Sequence, residues 1–124
     1  MRIVIVEDEI ALVKVLGEKF KREGFDVSVA TNGEDAVRVI RSQEPDLVLL
    51  DLILPKKDGF AVLQEMKADP ELKPIPVVVL SNLGEDENLK RALKMGAVDY
   101  LVKTQHPINE VVEKVRGHLM SRSK

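Results

Sequence analysis

Four apolar runs each end on side chains that could do chemistry. Glu7 and Asp8 follow IVIV at 3–6, Asp51 follows LVLL at 47–50, Ser81 follows VVVL at 77–80, and Lys103 follows YLV at 100–102. Asp51 stands out most, because LVLLDLILP at 47–55 sets eight apolar residues around one carboxylate. A charge beside so much hydrocarbon costs several kcal/mol unless it is paired, hydrogen-bonded or metal-bound.

Brought to one place, Glu7, Asp8 and Asp51 would repel one another, and a hard divalent cation that prefers oxygen would relieve the repulsion. Mg²⁺ suits such a site because it keeps waters and an open position. A carboxylate so placed can act as a nucleophile towards a phosphoryl group and form an aspartyl phosphate. The cation and Lys103 would neutralise the incoming oxygens, and Ser81 could donate a hydrogen bond to one of them.

Each residue also has a plainer reading. Ser81 could cap the next helix, Lys103 could be a solvated lysine at a strand end, and Glu7 with Asp8 could favour a helix N-terminus electrostatically. Asp58-Gly59 is most economically an N-cap and turn. His106 and His118 have no partner at ligand spacing and are read as surface residues. Asp51 alone lacks a comfortable plain reading.

Convergence depends on the elements. The β-branched run at 2–6 is followed by Leu12, Val15, Leu16 and Phe20 at helical spacing, up to the breaker Gly24. The alternation repeats. A strand at 25–29 leads to a helix from Gly33 with Ala36, Val37 and Ile40. One at 47–50 leads to a helix from Asp58 with Phe60, Leu63 and Met66. One at 76–80 leads to a helix with Leu89, Ala92 and Leu93 that stops at Gly96. One at 98–102 leads to a helix with Ile108, Val111, Val112, Val115 and Leu119.

The first, third and fourth strands are nearly continuous apolar runs, as expected of strands covered on both faces. The second alternates more, which predicts an edge. Right-handed crossovers then give an α/β fold, a doubly wound five-stranded parallel sheet between helical layers. In such a sheet the site lies outside the carboxyl ends of the strands, where the polar residues named above stand.

The 124 residues have the length of one domain, read as spanning 1–124, with 44% hydrophobic and 32% charged residues. No apolar run approaches a membrane span, and MRIVIVEDE resembles neither signal peptide nor anchor. The chain is therefore read as cytoplasmic, without membrane contact. A formal net charge of −2 gives no nucleic-acid footprint, and the absence of cysteine excludes disulfides and thiolate zinc sites.

The pieces VEDE at 6–9, DLILPKKDG at 51–59, VVVLSN at 77–82 and GAVDYLVK at 96–103 resemble the receiver domain of two-component response regulators, the CheY-like family, over essentially the whole chain. The resemblance implies the flavodoxin-like strand order 2-1-3-4-5. It implies that Asp51 accepts a phosphoryl group from a sensor histidine kinase or phosphotransfer protein. Asp8, Asp51 and the backbone carbonyl of Ile53 would bind Mg²⁺, with Glu7 acting through water. Ser81 and Lys103 would hold the phosphoryl oxygens, and Tyr100 would be the aromatic whose rotamer follows Ser81.

Output would pass through the fourth helix, fifth strand and fifth helix, to an effector protein or fused output domain, with a homodimer also open. The domain would be a switch that catalyses its own phosphorylation and slow dephosphorylation, not a conventional enzyme. The chain departs from the family at Thr104, where proline in a cis peptide is usual. A cis bond before any other residue costs about 2.5–4 kcal/mol, so a different loop path is expected there. Asn82 stands where a smaller residue is common, and Glu7 replaces the commoner aspartate.

Three rivals remain at this level. A flavin-binding module would need phosphate-binding amides and hydroxyls after the first strand, where this chain has Glu7-Asp8-Glu9. An aspartate-nucleophile phosphatase would place an acid two residues after Asp51, which is Ile53. A pseudo-receiver would keep the fold as a protein-binding module without phosphorylation.

Overall fold

The computed structural model describes residues 1–122. Five strands alternate with five helices: β1 (Arg2–Val6), α1 (Ile10–Arg22), β2 (Asp26–Ala30), α2 (Gly33–Gln43), β3 (Leu47–Leu50), α3 (Gly59–Ala68), β4 (Val77–Ser81), α4 (Asp86–Lys94), β5 (Asp99–Val102) and α5 (Ile108–Arg122). All strand pairs are parallel, in the order β2-β1-β3-β4-β5. The expected topology is observed, with alternating β2 at an edge. No described helix is long and apolar enough to cross a membrane.

Side chains alternate between the faces of a strand, so each apolar run feeds two cores. Val4, Val6, Val48, Leu50, Val77 and Val79 pack with Ala36, Ile40, Leu63, Met66 and Ala92 of α2, α3 and α4. Ile3, Ile5, Leu47, Leu49, Val78 and Leu80 pack with Leu16 and Phe20 of α1 and Val111, Val115 and Leu119 of α5. The three-layer architecture follows from that split.

Several boundaries differ from the expected ones by one residue. β2 begins at Asp26, paired with Arg2, because Phe25 turns inward to meet Phe20 edge-on, with ring centroids 5.7 Å apart. β4 runs on to Ser81, which pairs with Val102. Pro76, lacking an N–H, stays outside the strand while its carbonyl accepts from Val48 N at 3.0 Å.

Two apolar residues placed on helix core faces turn outward instead. Val15 and Leu93 are 42% exposed, because each lies one residue, about 100° of helix rotation, from the buried Leu16 or Ala92. Asp58 does cap α3, accepting from Ala61 N at 2.8 Å.

Candidate functional site

The carboxyl ends of the strands are tied by main-chain hydrogen bonds that continue one step beyond the strands themselves. Asp51 N donates to Val6 O at 3.0 Å, Glu7 N to Ala30 O at 3.0 Å, and Lys103 N to Ser81 O at 2.9 Å. Glu7, Asp51, Ser81 and Lys103 therefore share one rim because the sheet's hydrogen bonds hold their backbones there. Asp51, Glu7 and Ser81 are buried, at 4%, 2% and 0% exposure, while Asp8 is exposed.

Lys103 joins them. Its Nζ lies 2.6 Å from Glu7 Oε1, 3.0 Å from Asp51 Oδ2 and 3.1 Å from Glu9 Oε1. The other Asp51 oxygen, Oδ1, accepts from Ile53 N at 3.2 Å. The compensation that Asp51 requires is thus an ammonium on one oxygen and a backbone amide on the other. The plain reading of Lys103 as a solvated lysine does not hold. Among the described residues no peptide bond is cis, and Lys103 reaches Asp51 with Thr104 after it.

Electrostatics in the cluster follow from three carboxylates sharing one cation. Burial pushes the Glu7 carboxyl up to about 7, against the pull of Lys103 and the Glu9 amide, and the Asp51 charge adds to the rise. Burial by itself would lower the Lys103 value, but its contacts with Glu7, Asp51 and Glu9 outweigh burial and raise it. The two directions agree: the acceptors around Lys103 hold it charged, while burial costs the Glu7 carboxylate more than the one shared ammonium returns. Glu7 Oε1 has the Lys103 charge beside it but no aligned hydrogen bond.

Glu7, Asp8 and Asp51 each offer a carboxylate oxygen within 4.8 Å of the others. Two buried carboxylates and an exposed third, all offering oxygen and balanced by one ammonium, fit a hard divalent cation.

Ser81 and Tyr100 meet through a third residue. Ser81 Oγ accepts from Leu83 N at 3.4 Å, while the buried Tyr100 hydroxyl donates to the Leu83 carbonyl. The plain reading of Ser81 as a helix cap fails, because α4 starts at Asp86 after Glu85. Asn82 is exposed.

The loop after Asp51 is pinned from two sides. A Cβ on Gly59 would lie 2.2 Å from the Asp51 carbonyl oxygen, and one on Gly33 would lie 1.7 Å from that of Lys57. Only glycine lets α3 and α2 begin against this loop.

Sequence reasoning left Glu9 without a role, although it touches Lys103. The one available signal was the unbroken acidic triplet Glu7-Asp8-Glu9, and the contact itself spans 94 positions. The two histidines also have partners. His118 Nε2 lies 2.9 Å from Asp99 Oδ2, and His106 Nδ1 lies 3.1 Å from the Val102 backbone.

A family model described as the response regulator receiver domain matches residues 3–116. Among curated relatives, a probable transcriptional regulator ycf27 of Pyropia yezoensis is 35% identical over 123 residues, covering 99% of this chain and 49% of that protein. The chain thus spans about half the length of the curated relatives it matches. The BeF3-activated N-terminal receiver domain of Klebsiella pneumoniae RstA superposes with a TM-score of 0.85 at 35% identity, covering 96% of this chain and 98% of that one. The Mn²⁺-bound form of response regulator Rcp1 gives a TM-score of 0.80 at 31% identity, covering 94% and 89%.

Proposed function

This chain belongs to the response regulator receiver domain family, and from that membership we propose that it is a phosphoryl-accepting switch with Asp51 as acceptor. The carrying observation is the placement of Asp51: buried at the end of β3, held by Ile53 N and Lys103 Nζ, with Glu7 and Asp8 at metal-binding distance.

In this proposal an Asp51 oxygen forms a bond to phosphorus as the P–N bond to a donor phosphohistidine breaks. The donor is a sensor histidine kinase or a phosphotransfer protein. Asp8, Asp51 and the Ile53 carbonyl would hold Mg²⁺, with Glu7 assisting. That cation, when bound, draws charge from the phosphoryl oxygens. Lys103 leaves its carboxylate partners to pair with a phosphoryl oxygen, and Ser81 donates to another. If Ser81 turns from Leu83 to the phosphoryl group, the loop loses one of its two ties, and Tyr100 follows. The equilibrium of α4, β5 and α5 then shifts.

Hydrolysis of the aspartyl phosphate is slow, because Ile53 supplies no acid where a phosphatase would carry one. The signal passes to an effector protein or a fused output domain. Residues 1–124 act in the cytoplasm as one receiver unit.

Intact-protein mass after incubation with acetyl phosphate, with and without Mg²⁺, tests the reading. One added phosphoryl group that requires both Mg²⁺ and Asp51 is expected. Uptake by Asp51→Asn at the wild-type rate would refute it.

A further inference from the structure

We infer that Glu9 restrains the switch: its carboxylate withholds Lys103 from an incoming phosphoryl group and so slows uptake from small anionic donors. The inference rests on the proposed role of Asp51 and Lys103 and adds a rate-setting residue to it.

Lys103 Nζ has three carboxylate neighbours, and two are buried with it. Glu7 and Asp51 side chains are 3% and 5% exposed, whereas that of Glu9 is 56% exposed. Glu9 is thus the partner on the solvent side, where a donor must approach. Its backbone fixes it there, because Glu9 N donates to Glu7 Oε2 at 3.1 Å and Glu9 stands at the N-cap position of α1.

Its side chain makes no capping hydrogen bond, so the carboxylate is not tied to the helix backbone. What the carboxylate does touch is the one ammonium in the cluster. An anionic donor must displace that contact and also meet the negative field of Glu9.

With acetyl phosphate the step is balanced without further reactants. An Asp51 oxygen bonds to phosphorus, the P–O bond to the acyl group breaks, and acetate leaves with the electron pair. Lys103 neutralises charge during this exchange, so its release from Glu9 lowers the barrier. An exposed ion-pair contact of this kind corresponds to a change in rate of up to about fivefold.

The test compares wild type with Glu9→Gln in the 124-residue chain, at saturating Mg²⁺ and low salt. Acetyl phosphate uptake by Glu9→Gln is expected to be at least twofold faster, with the gain shrinking as salt is raised. A second readout needs no metal. Labelling of the Lys103 amine by an acetylating reagent, followed by peptide mass, is expected to be at least twofold faster in Glu9→Gln. An uptake or labelling rate that rises less than twofold, or falls, overturns the inference. If wild type takes up no phosphoryl group on Asp51, the underlying reading has failed instead, and the labelling result alone then decides whether Glu9 holds Lys103.

Discussion

One ammonium balances three carboxylates, so Lys103 is the residue whose removal should be felt most. Lys103→Ala would leave Glu7 and Asp51 buried beside each other with no cation between them. Losing one partner of a buried ion pair costs about 3 kcal/mol or more. Urea unfolding of Lys103→Ala is therefore expected to show that loss without Mg²⁺, and a smaller loss with Mg²⁺ present. An equal loss in both conditions would mean that the carboxylates do not share a cation site. The same substitution should weaken partner binding even where phosphorylation persists, because the phosphoryl group on Asp51 would then lack the Lys103 ammonium that the proposal pairs with it. Of these residues the apolar flanks pointed to Asp51 directly. The sharing of Lys103 with Glu9 was not legible, because it depends on side-chain reach between distant segments.

At the scale of elements, α4 and α5 are attached in different ways. In α4 only Ala92 is fully buried, and Arg91 stacks on the Phe60 ring at 3.9 Å, which ties α4 to the start of α3. Such a contact is worth about 0.5–1 kcal/mol at an exposed site. Arg91→Ala is expected to speed amide hydrogen exchange across residues 86–94, with α1 unchanged. The same protection in both proteins would rule out the stack as a tether.

The helix α5 is tied to β5 by His118 and Asp99. Burial would raise the Asp99 carboxyl, but His118 and the Tyr100 amide hold it below its ordinary value. A carboxyl lowered in the folded state adds stability above its unfolded value, about 3.9. That stability is lost as pH falls through the folded value. Unfolding free energy should therefore drop below about pH 4, and less steeply in Asp99→Asn, as measured by urea titration at each pH. An unchanged acid slope would show that the pair contributes nothing. The sequence marked both helices by their periodicity, but not the turning of Leu93 to solvent or the pairing of His118.

For the whole molecule, a cation bound at the rim should stabilise the folded state by mass action. At one hundred times its dissociation constant the gain is about 2.7 kcal/mol, or roughly 8–15 °C in Tm for a domain of this size. Mg²⁺ should raise Tm on that scale in wild type and much less in Asp51→Asn, and excess chelator should reverse it. An equal rise in both proteins would place the cation elsewhere. Read alone, the sequence determined the number of strands and helices and their succession along the chain, the burial of β1, β3 and β4, and the rim on which the polar residues stand, while the strand order came from the family resemblance. Those features are local, since apolar runs and helical periods are written in neighbouring residues and parallel sheets admit few topologies. The tertiary structure decided which partners meet at that rim. Lys103 bridges 52 positions to Asp51 and 94 to Glu9, and Ser81 and Tyr100 meet at Leu83. Such contacts depend on the twist of the sheet and the paths of its loops, which no periodicity in the chain encodes.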